Sequence, residues 1–224
     1  VMDRYDPEGE IGLVVDEWGT WWDVEPGTNP GFLFQQNTMR DAIVAALHFD
    51  VFHRLADRVV MANLAQTVNV LQAVLLADAE TGTLVRTPTF HVFEMNKVHH
   101  DAVAVPVHVR APGAAREVAG ETLPTVSASA SVRDGACHVS LTNVDPDRPV
   151  DAVVEIRGAR VGAVSGRILA PGSVGAFNAA DHPDDVAPRP VDELVVTPGT
   201  VRVTLPPHAF AVVRVDLHDL PDPR

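Results

Sequence analysis

Asp16 and Glu17 directly follow an apolar run at residues 11–15, and all three tryptophans of the chain, Trp18, Trp21 and Trp22, fall within the next five residues. A carboxylate at the end of a buried strand can act as a nucleophile or as a general acid or base, and aromatic faces beside it suit a sugar ring. The unbroken apolar run reads as a strand covered on both faces, as in a parallel sheet between helices. In such sheets the chemistry gathers at the carboxyl ends of the strands. Gly19 gives the chain room to turn away from that end. The same residues also admit a purely structural reading, in which Asp16 caps a helix and the tryptophans are core.

Positioning these residues requires neighbouring elements. Residues 23–37 are rich in Gly, Pro and Asn and read as a loop of the kind that crosses a catalytic face. Thr38 followed by Asp41 predicts a helix start, with Asp in place of the preferred Glu or Gln. The apolar line Ile43, Leu47, Val51 and Leu55, widened by Ala46, is that helix's expected core face, with His48, His53 and Arg54 on or near its less buried sides. Residues 58–65 read as a second buried strand, and Gln66 ends it as Glu17 ends the first. Strand, helix and strand in this order form a right-handed unit with parallel strands, so both polar ends point the same way. Residues 67–76 continue as an apolar segment, residues 77–84 supply a turn, and residues 88–100 read as a helix with Val92, Met95 and His99 on one face.

From about Val103 the texture changes to short alternating runs. SASASV, CHVSLTNV, AVVEIRG, GRILA, ELVVT, TVRVTLP and AFAVVRVDL are seven candidate strands, several separated by turn residues such as Asp134-Gly135 and Pro198-Gly199. Their number and spacing fit an antiparallel β-sandwich. The irregular stretch at residues 170–191 is expected to wrap the surface.

Composition removes several function classes. A net charge of −13, from 30 acids against 17 bases, opposes binding to a phosphate backbone, so nucleic acid is not an expected partner. No apolar run approaches the roughly 20 residues of a membrane-spanning helix. The single cysteine, Cys137, excludes an internal disulfide and any multi-cysteine metal site, and its expected role is a small apolar filler in a strand. The ten histidines do not form a ligand pattern, since His99 and His100 are adjacent and His48 and His53 are poorly spaced for one metal. Neither a GxSxG elbow nor a glycine-rich phosphate loop is present. The opening residues VMDRYDPEGE carry no secretory leader. A strand in need of neighbours stands close behind them, which reads as a fragment.

The run DEWGTWWDVEPGTNPGFLFQQNTMRDA (residues 16–42) and the run ADRVVMANLAQTVNVLQA (residues 56–73) resemble the α-L-arabinofuranosidases of glycoside hydrolase family 51. The likeness continues more loosely through TPTFHVFEM and the remainder. The resemblance implies an α/β plus all-β chain: the C-terminal fragment of a (β/α)8 barrel in residues 1–102, then an antiparallel β-sandwich in residues 103–224. The implied activity is retaining hydrolysis of terminal α-L-arabinofuranosyl residues from oligosaccharides and polysaccharides, without metal or cofactor. Glu17 stands at the nucleophile position and Asp16 supports it from the opposite face of the strand. Gln66, which by itself reads as a loop amide satisfied by backbone, corresponds in the family to a residue that hydrogen-bonds the arabinofuranose, and Trp21 to an aromatic beside the sugar subsites. Trp18 and Trp22 stay open between core and platform, and Asn69 is read as structural where the chain turns into a next helix. Leu55 replaces a common His, and Asn96 a common aromatic.

A retaining glycosidase needs a second carboxyl group about 5 to 5.5 Å from the first. The family's acid/base is the glutamate of an Asn-Glu pair on an earlier strand, and no such pair occurs here. Losing a positioned general acid costs about 10² to 10⁴ in rate, so the chain alone is expected to be inactive or nearly so. The resemblance further implies a cytoplasmic homo-oligomer at full length. Two other readings stand beside it: a non-catalytic β-sandwich module for carbohydrate binding or assembly with a vestige of barrel, and a furanosidase with another sugar preference.

Overall fold

The computed structural model describes residues 1–111, 113 and 115–218. A short helix α1 (Met2–Tyr5) precedes β1 (Leu13–Trp18), α2 (Met39–Arg54), β2 (Val59–Leu64), β3 (Leu75–Ala77), β4 (Leu84–Arg86) and α3 (Pro88–Asn96). There follow β5 (Val103–Val105), β6 (Ala115–Val118), β7 (Glu121–Pro124), β8 (Val126–Arg133), β9 (Ala136–Asn143), β10 (Val150–Glu155), β11 (Arg160–Leu169), β12 (Arg189–Pro190), β13 (Leu194–Val196), β14 (Thr200–Leu205) and β15 (Ala209–His218). Each of the seven expected strand runs coincides with one of β8 to β11 and β13 to β15. The helix at residue 39 begins as its sequence predicts: Thr38 N–H donates to the Asp41 carboxylate at 2.8 Å, and Thr38 Oγ1 accepts from Arg40 N–H at 3.2 Å.

The β-sandwich consists of an antiparallel six-stranded sheet, in the order β12-β11-β15-β9-β8-β5, and a three-stranded sheet, β10-β14-β13. Strict alternation decides which residues face which layer. Ala128 and Ala130 of β8, Cys137, Val139 and Leu141 of β9, and Ala211, Val213 and Val215 of β15 join Val201, Val203 and Leu205 of β14 in the core between the sheets. Cys137 is the buried filler its sequence suggests.

The other face of the six-stranded sheet is covered by α2 and α3. Phe210 and Val212 of β15 and Leu169 of β11 meet Met39, Ala42, Ile43, Ala46, Val92 and Met95 in a second core. Farther along, the contact is polar. Asp50 accepts from Ser127 Oγ and Ser129 Oγ, each at 2.6 Å, and His53 Nδ1 lies 2.9 Å from Ser129 Oγ. His99 bridges Ser131 Oγ and Ser140 Oγ at 2.7 and 2.8 Å. The serines of the SASAS run are therefore a covered face, and they pair almost one for one with helix side chains. Burial holds His53 down to about 4 and His99 to about 3, so both are neutral, and it pushes the Asp50 carboxyl up.

Two expectations change and a third is sharpened. The buried stripe of α2 runs through Met39, Ala42, Ile43, Ala46 and Asp50, whereas Val51 and Leu55 are exposed, because the sheet is packed against a partly polar face that takes in His53. β1 is not covered on both sides: among the described residues it has one strand neighbour, β2, and Leu13 and Val14 are open to solvent. The chain thus contains two parallel strands and a crossover helix, not a closed barrel. Residues 170–191 do cross the surface, but as an anchored strap. Val174 and Ala176 carbonyls accept from the Arg40 and Met39 N–H groups at 2.9 Å, satisfying donors of the first turn of α2, and Val186 is buried.

Candidate active site

β1 and β2 pair in parallel, with Val15 opposite Ala62 and Trp18 opposite Leu64. Between those pairs β1 carries one residue more than β2, so an irregularity falls on Asp16 and Glu17 and re-aims their side chains. Sequence reasoning places these two residues just past the strand, whereas they belong to its final turn of pleat. Ala65 N–H donates to the Trp18 carbonyl at 2.9 Å. Glu17, one residue before that bond, and Gln66, one residue after it, therefore stand at the same carboxyl edge. Both are exposed.

The chain leaves β1 through Gly19, whose φ is +142°. A side chain there would lie 3.3 Å from the Ala65 carbonyl, the Gln72 amide oxygen and Leu64, so the turn over the end of β2 needs glycine. Beyond it the three tryptophans take different roles. Trp18 is core, stacked between His48 and Phe93 at centroid distances of 5.0 and 5.9 Å. Trp22 is anchored: its Nε1–H donates to Asp41 Oδ1 at 2.8 Å, and the Arg40 guanidinium lies 4.2 Å above its ring. Trp21 alone is free, 68% exposed between two held neighbours. At that exposure Trp21 is not a core residue.

Gln66 has a further setting. It lines a groove of about 900 Å³ with Phe32 and Leu33 of the long loop, Asp78 and Glu80 of the β3–β4 turn, and Ala180 of the strap. Glu17 and Trp21 are not part of the groove wall, so the structure brings Gln66 to the same sheet edge as Glu17 while turning it toward a second surface. Asn69 is structural as expected, at φ +60°, exchanging hydrogen bonds with the backbone of Ala77 at 2.7 and 3.1 Å. It leads into the β3–β4 hairpin, not into a helix.

A buried polar network beneath the site escaped sequence reasoning. Asp41, Gln35 and Gln72 are fully or almost fully buried and bond to Thr20 and Trp22. The only sequence signal was the capping pattern at Asp41, which accounts for one of its oxygens. Among the described residues no three His, Cys, Asp or Glu side chains are grouped to hold a metal. The chemistry this edge can perform is that of a solvent-facing carboxylate, an amide and an aromatic face.

Comparison with known proteins gives this arrangement a context. A family model described as the alpha-L-arabinofuranosidase C-terminal domain matches residues 16–209. An intracellular exo-alpha-L-arabinofuranosidase of Bacteroides ovatus is 43% identical over 219 residues, taking in 97% of this chain and 41% of that protein. An exo-alpha-(1->6)-L-arabinofuranosidase of Bifidobacterium longum is 27% identical, over 95% of this chain and 43% of its own length. The crystal structure of the GH51 arabinofuranosidase from Xanthomonas axonopodis pv. citri superposes with a TM-score of 0.90 at 42% identity, covering 96% of this chain and 43% of that one. The alpha-L-arabinofuranosidase of Thermotoga maritima, in complex with arabinose, shares the fold with a TM-score of 0.79 at 21% identity, over 96% of this chain and 45% of that one. The chain thus spans less than half the length of these relatives.

Proposed function

Because this chain belongs to the alpha-L-arabinofuranosidase C-terminal domain family, we propose that it works as the C-terminal part of a retaining glycoside hydrolase that removes terminal α-L-arabinofuranosyl residues from arabinose-containing oligosaccharides and polysaccharides. The observation that carries the proposal is the common carboxyl edge of β1 and β2, where Glu17 and Gln66 flank the hydrogen bond from Ala65 to Trp18. In this reading residues 1–102 contribute the last strands of a (β/α)8 barrel and residues 103–224 form the C-terminal β-sandwich domain. The apolar faces of Leu13, Val14, Val60 and Met61, open here, are covered by the remaining barrel.

The reaction follows from the roles. Glu17 attacks the anomeric carbon of the arabinofuranosyl residue while an acid protonates the departing oxygen, and water then cleaves the glycosyl ester with the same group acting as base. Gln66 donates and accepts hydrogen bonds at the sugar hydroxyls, and Trp21 offers its ring face to the sugar. The acid/base comes from outside this chain, about 5 to 5.5 Å from Glu17 in a retaining site. No metal or cofactor takes part. The Bacteroides relative is named as intracellular, which supports a cytoplasmic location, and the homo-oligomeric state is part of the same proposal.

The test is hydrolysis of an aryl α-L-arabinofuranoside by this chain, by the full-length protein and by its Glu17→Ala variant. Turnover confined to the full-length protein and lost in Glu17→Ala is expected. Glu17-dependent turnover by the chain alone would mean that another carboxylate here supplies the acid. The openness of Trp21 and of the groove beside Gln66 also suits a non-catalytic carbohydrate-binding module. Saturable sugar binding that survives Glu17→Ala and gives no product would favour that second reading.

A further inference from the structure

The Asp41 carboxylate is 0% exposed, yet it reaches from the N-terminus of α2 to the segment that leaves β1. Its Oδ1 accepts from Thr20 Oγ1–H and from Trp22 Nε1–H, both at 2.8 Å. Its Oδ2 accepts from Thr38 N–H at 2.8 Å and from Arg40 Nη2 at 3.3 Å. Capping a helix uses only the second oxygen. The first is committed to two side chains on a different part of the chain, and those side chains flank Trp21 on either side.

The same two residues are held at their backbones. Thr20 N–H donates to Gln72 Oε1 at 2.8 Å, and Trp22 N–H donates to Gln35 Oε1 at 2.9 Å. Gln72 Nε2 in turn donates to the Asp41 carbonyl at 2.7 Å and to Thr89 Oγ1 at 3.2 Å, which closes the network onto the start of α3. A helix cap alone does not need this investment. Thr20 is drawn inward at 8% exposure, and Trp22, though 42% exposed, is tethered at its ring nitrogen and its backbone, so Trp21 between two fixed residues is left facing outward at 68% exposure.

We propose that Asp41 is a positioning residue: through Thr20 Oγ1 and Trp22 Nε1 it fixes the direction of Trp21, and the path of the chain three residues beyond Glu17, for the reaction at the β1–β2 edge. This rests on the arabinofuranosidase reading for its functional half, but its structural half does not. Buried charge-assisted hydrogen bonds are strong and geometrically demanding. A displaced aromatic wall or nucleophile costs rate even where the fold survives, because misplacement of about 1 Å can cost on the order of a hundredfold.

The variants leave Asp41 and the cap in place: Thr20→Val keeps the shape and removes the hydroxyl, which also accepts from Gln35 Nε2 at 3.2 Å, Trp22→Phe removes the Nε1 donor with part of the ring beneath Arg40, and Thr20→Ser is the control that keeps the hydroxyl. In the full-length protein, kcat/KM for an aryl α-L-arabinofuranoside is expected to fall by about tenfold to a hundredfold in Thr20→Val and Trp22→Phe, and to stay within about threefold of the parent in Thr20→Ser. A purely structural role would lower Tm in Thr20→Val while leaving kcat/KM of the folded fraction equal to that of Thr20→Ser, and would overturn the proposal. A second readout is independent of turnover. In protein labelled with 5-fluorotryptophan, the ¹⁹F line of Trp21, assigned with Trp21→Phe, should shift or broaden in Thr20→Val and match the parent in Thr20→Ser. An unchanged line in Thr20→Val refutes the positioning even if the parent has no activity. A changed line with an inactive parent would sink the arabinofuranosidase reading, and with it the functional half, while the structural half stands.

Discussion

At the scale of single residues, the two groups at the β1–β2 edge carry different loads. Gln66 is exposed and makes no side-chain hydrogen bond to another described residue, so the fold does not depend on its amide. Gln66→Ala is therefore expected to leave Tm within a degree or two. In the full-length protein it should lower kcat/KM toward arabinofuranosides by about tenfold to a hundredfold, the loss of one or two good hydrogen bonds. Equal kinetics in parent and variant would remove Gln66 from the site. Gly19 is the opposite case. With φ at +142° and contacts at 3.3 Å waiting for any Cβ, Gly19→Ala should destabilise by about 1–3 kcal/mol, seen as a lowered denaturation midpoint. These differences explain what the sequence made legible. Asp16 and Glu17 stood out because two carboxylates after an apolar run are legible locally, whereas Gln66 and Trp21 were singled out by the family resemblance. Asp41 did not stand out, because its pattern is satisfied by capping and its contact with Trp22 comes from a loop path that no local periodicity encodes.

At the scale of elements, the layer between the helices and the six-stranded sheet predicts a response to acid. His53 and His99 are held to about 4 and about 3, chiefly by burial, with their rings 4.5 Å apart. Above about pH 6.5, the ordinary histidine value, each is neutral whether the chain is folded or not, so neither affects stability. As pH falls through 6.5 the unfolded chain takes up protons that the folded chain refuses, and stability declines until the folded values are reached. A depression of this size corresponds to a cost on the order of 3 kcal/mol for His53. His91 and His138 are lowered in the same direction, while the raised carboxyl of Asp50 works against them. Tm, measured above the range where the carboxylates protected by arginines titrate, should stay level from pH 7.5 to about 6.5 and fall from there to 4.5, and that slope should be shallower in His53→Asn. A flat profile, or equal slopes, would refute the account. The alternation that revealed β8 as a strand was sound. It did not say what covers the Ser side, because small polar residues look alike whether they meet water or the Asp50 and His53 side chains of a helix.

For the whole molecule, the balance between its two parts decides how the chain behaves alone. The sandwich is closed, with apolar side chains from both sheets meeting in one core, and its seven main strands were legible because alternation and turn residues act locally. The β1–β2 pair is different. Its sequence predicts a strand covered on both faces, and the apolar residues meant for that setting are present, but Ile11, Leu13, Val14, Val60 and Met61 are 41–66% exposed. Periodicity records which environment a strand is built for and says nothing about whether the covering elements are there. Two parallel strands also leave outer edges whose N–H and C=O groups have no ladder partner among the described residues, and an exposed apolar edge is a template for association. The net charge of −13 opposes association between copies, but salt screens it within about 10 Å at 0.1 M, whereas apolar contact is not screened. The isolated chain should therefore self-associate more as salt is added, which light scattering against concentration at low and moderate ionic strength would show. Replacing Val60 and Met61, which are exposed and lie outside the site, by Thr and Lys should suppress it. A monodisperse, cooperatively melting monomer at both ionic strengths would mean that this face needs no cover.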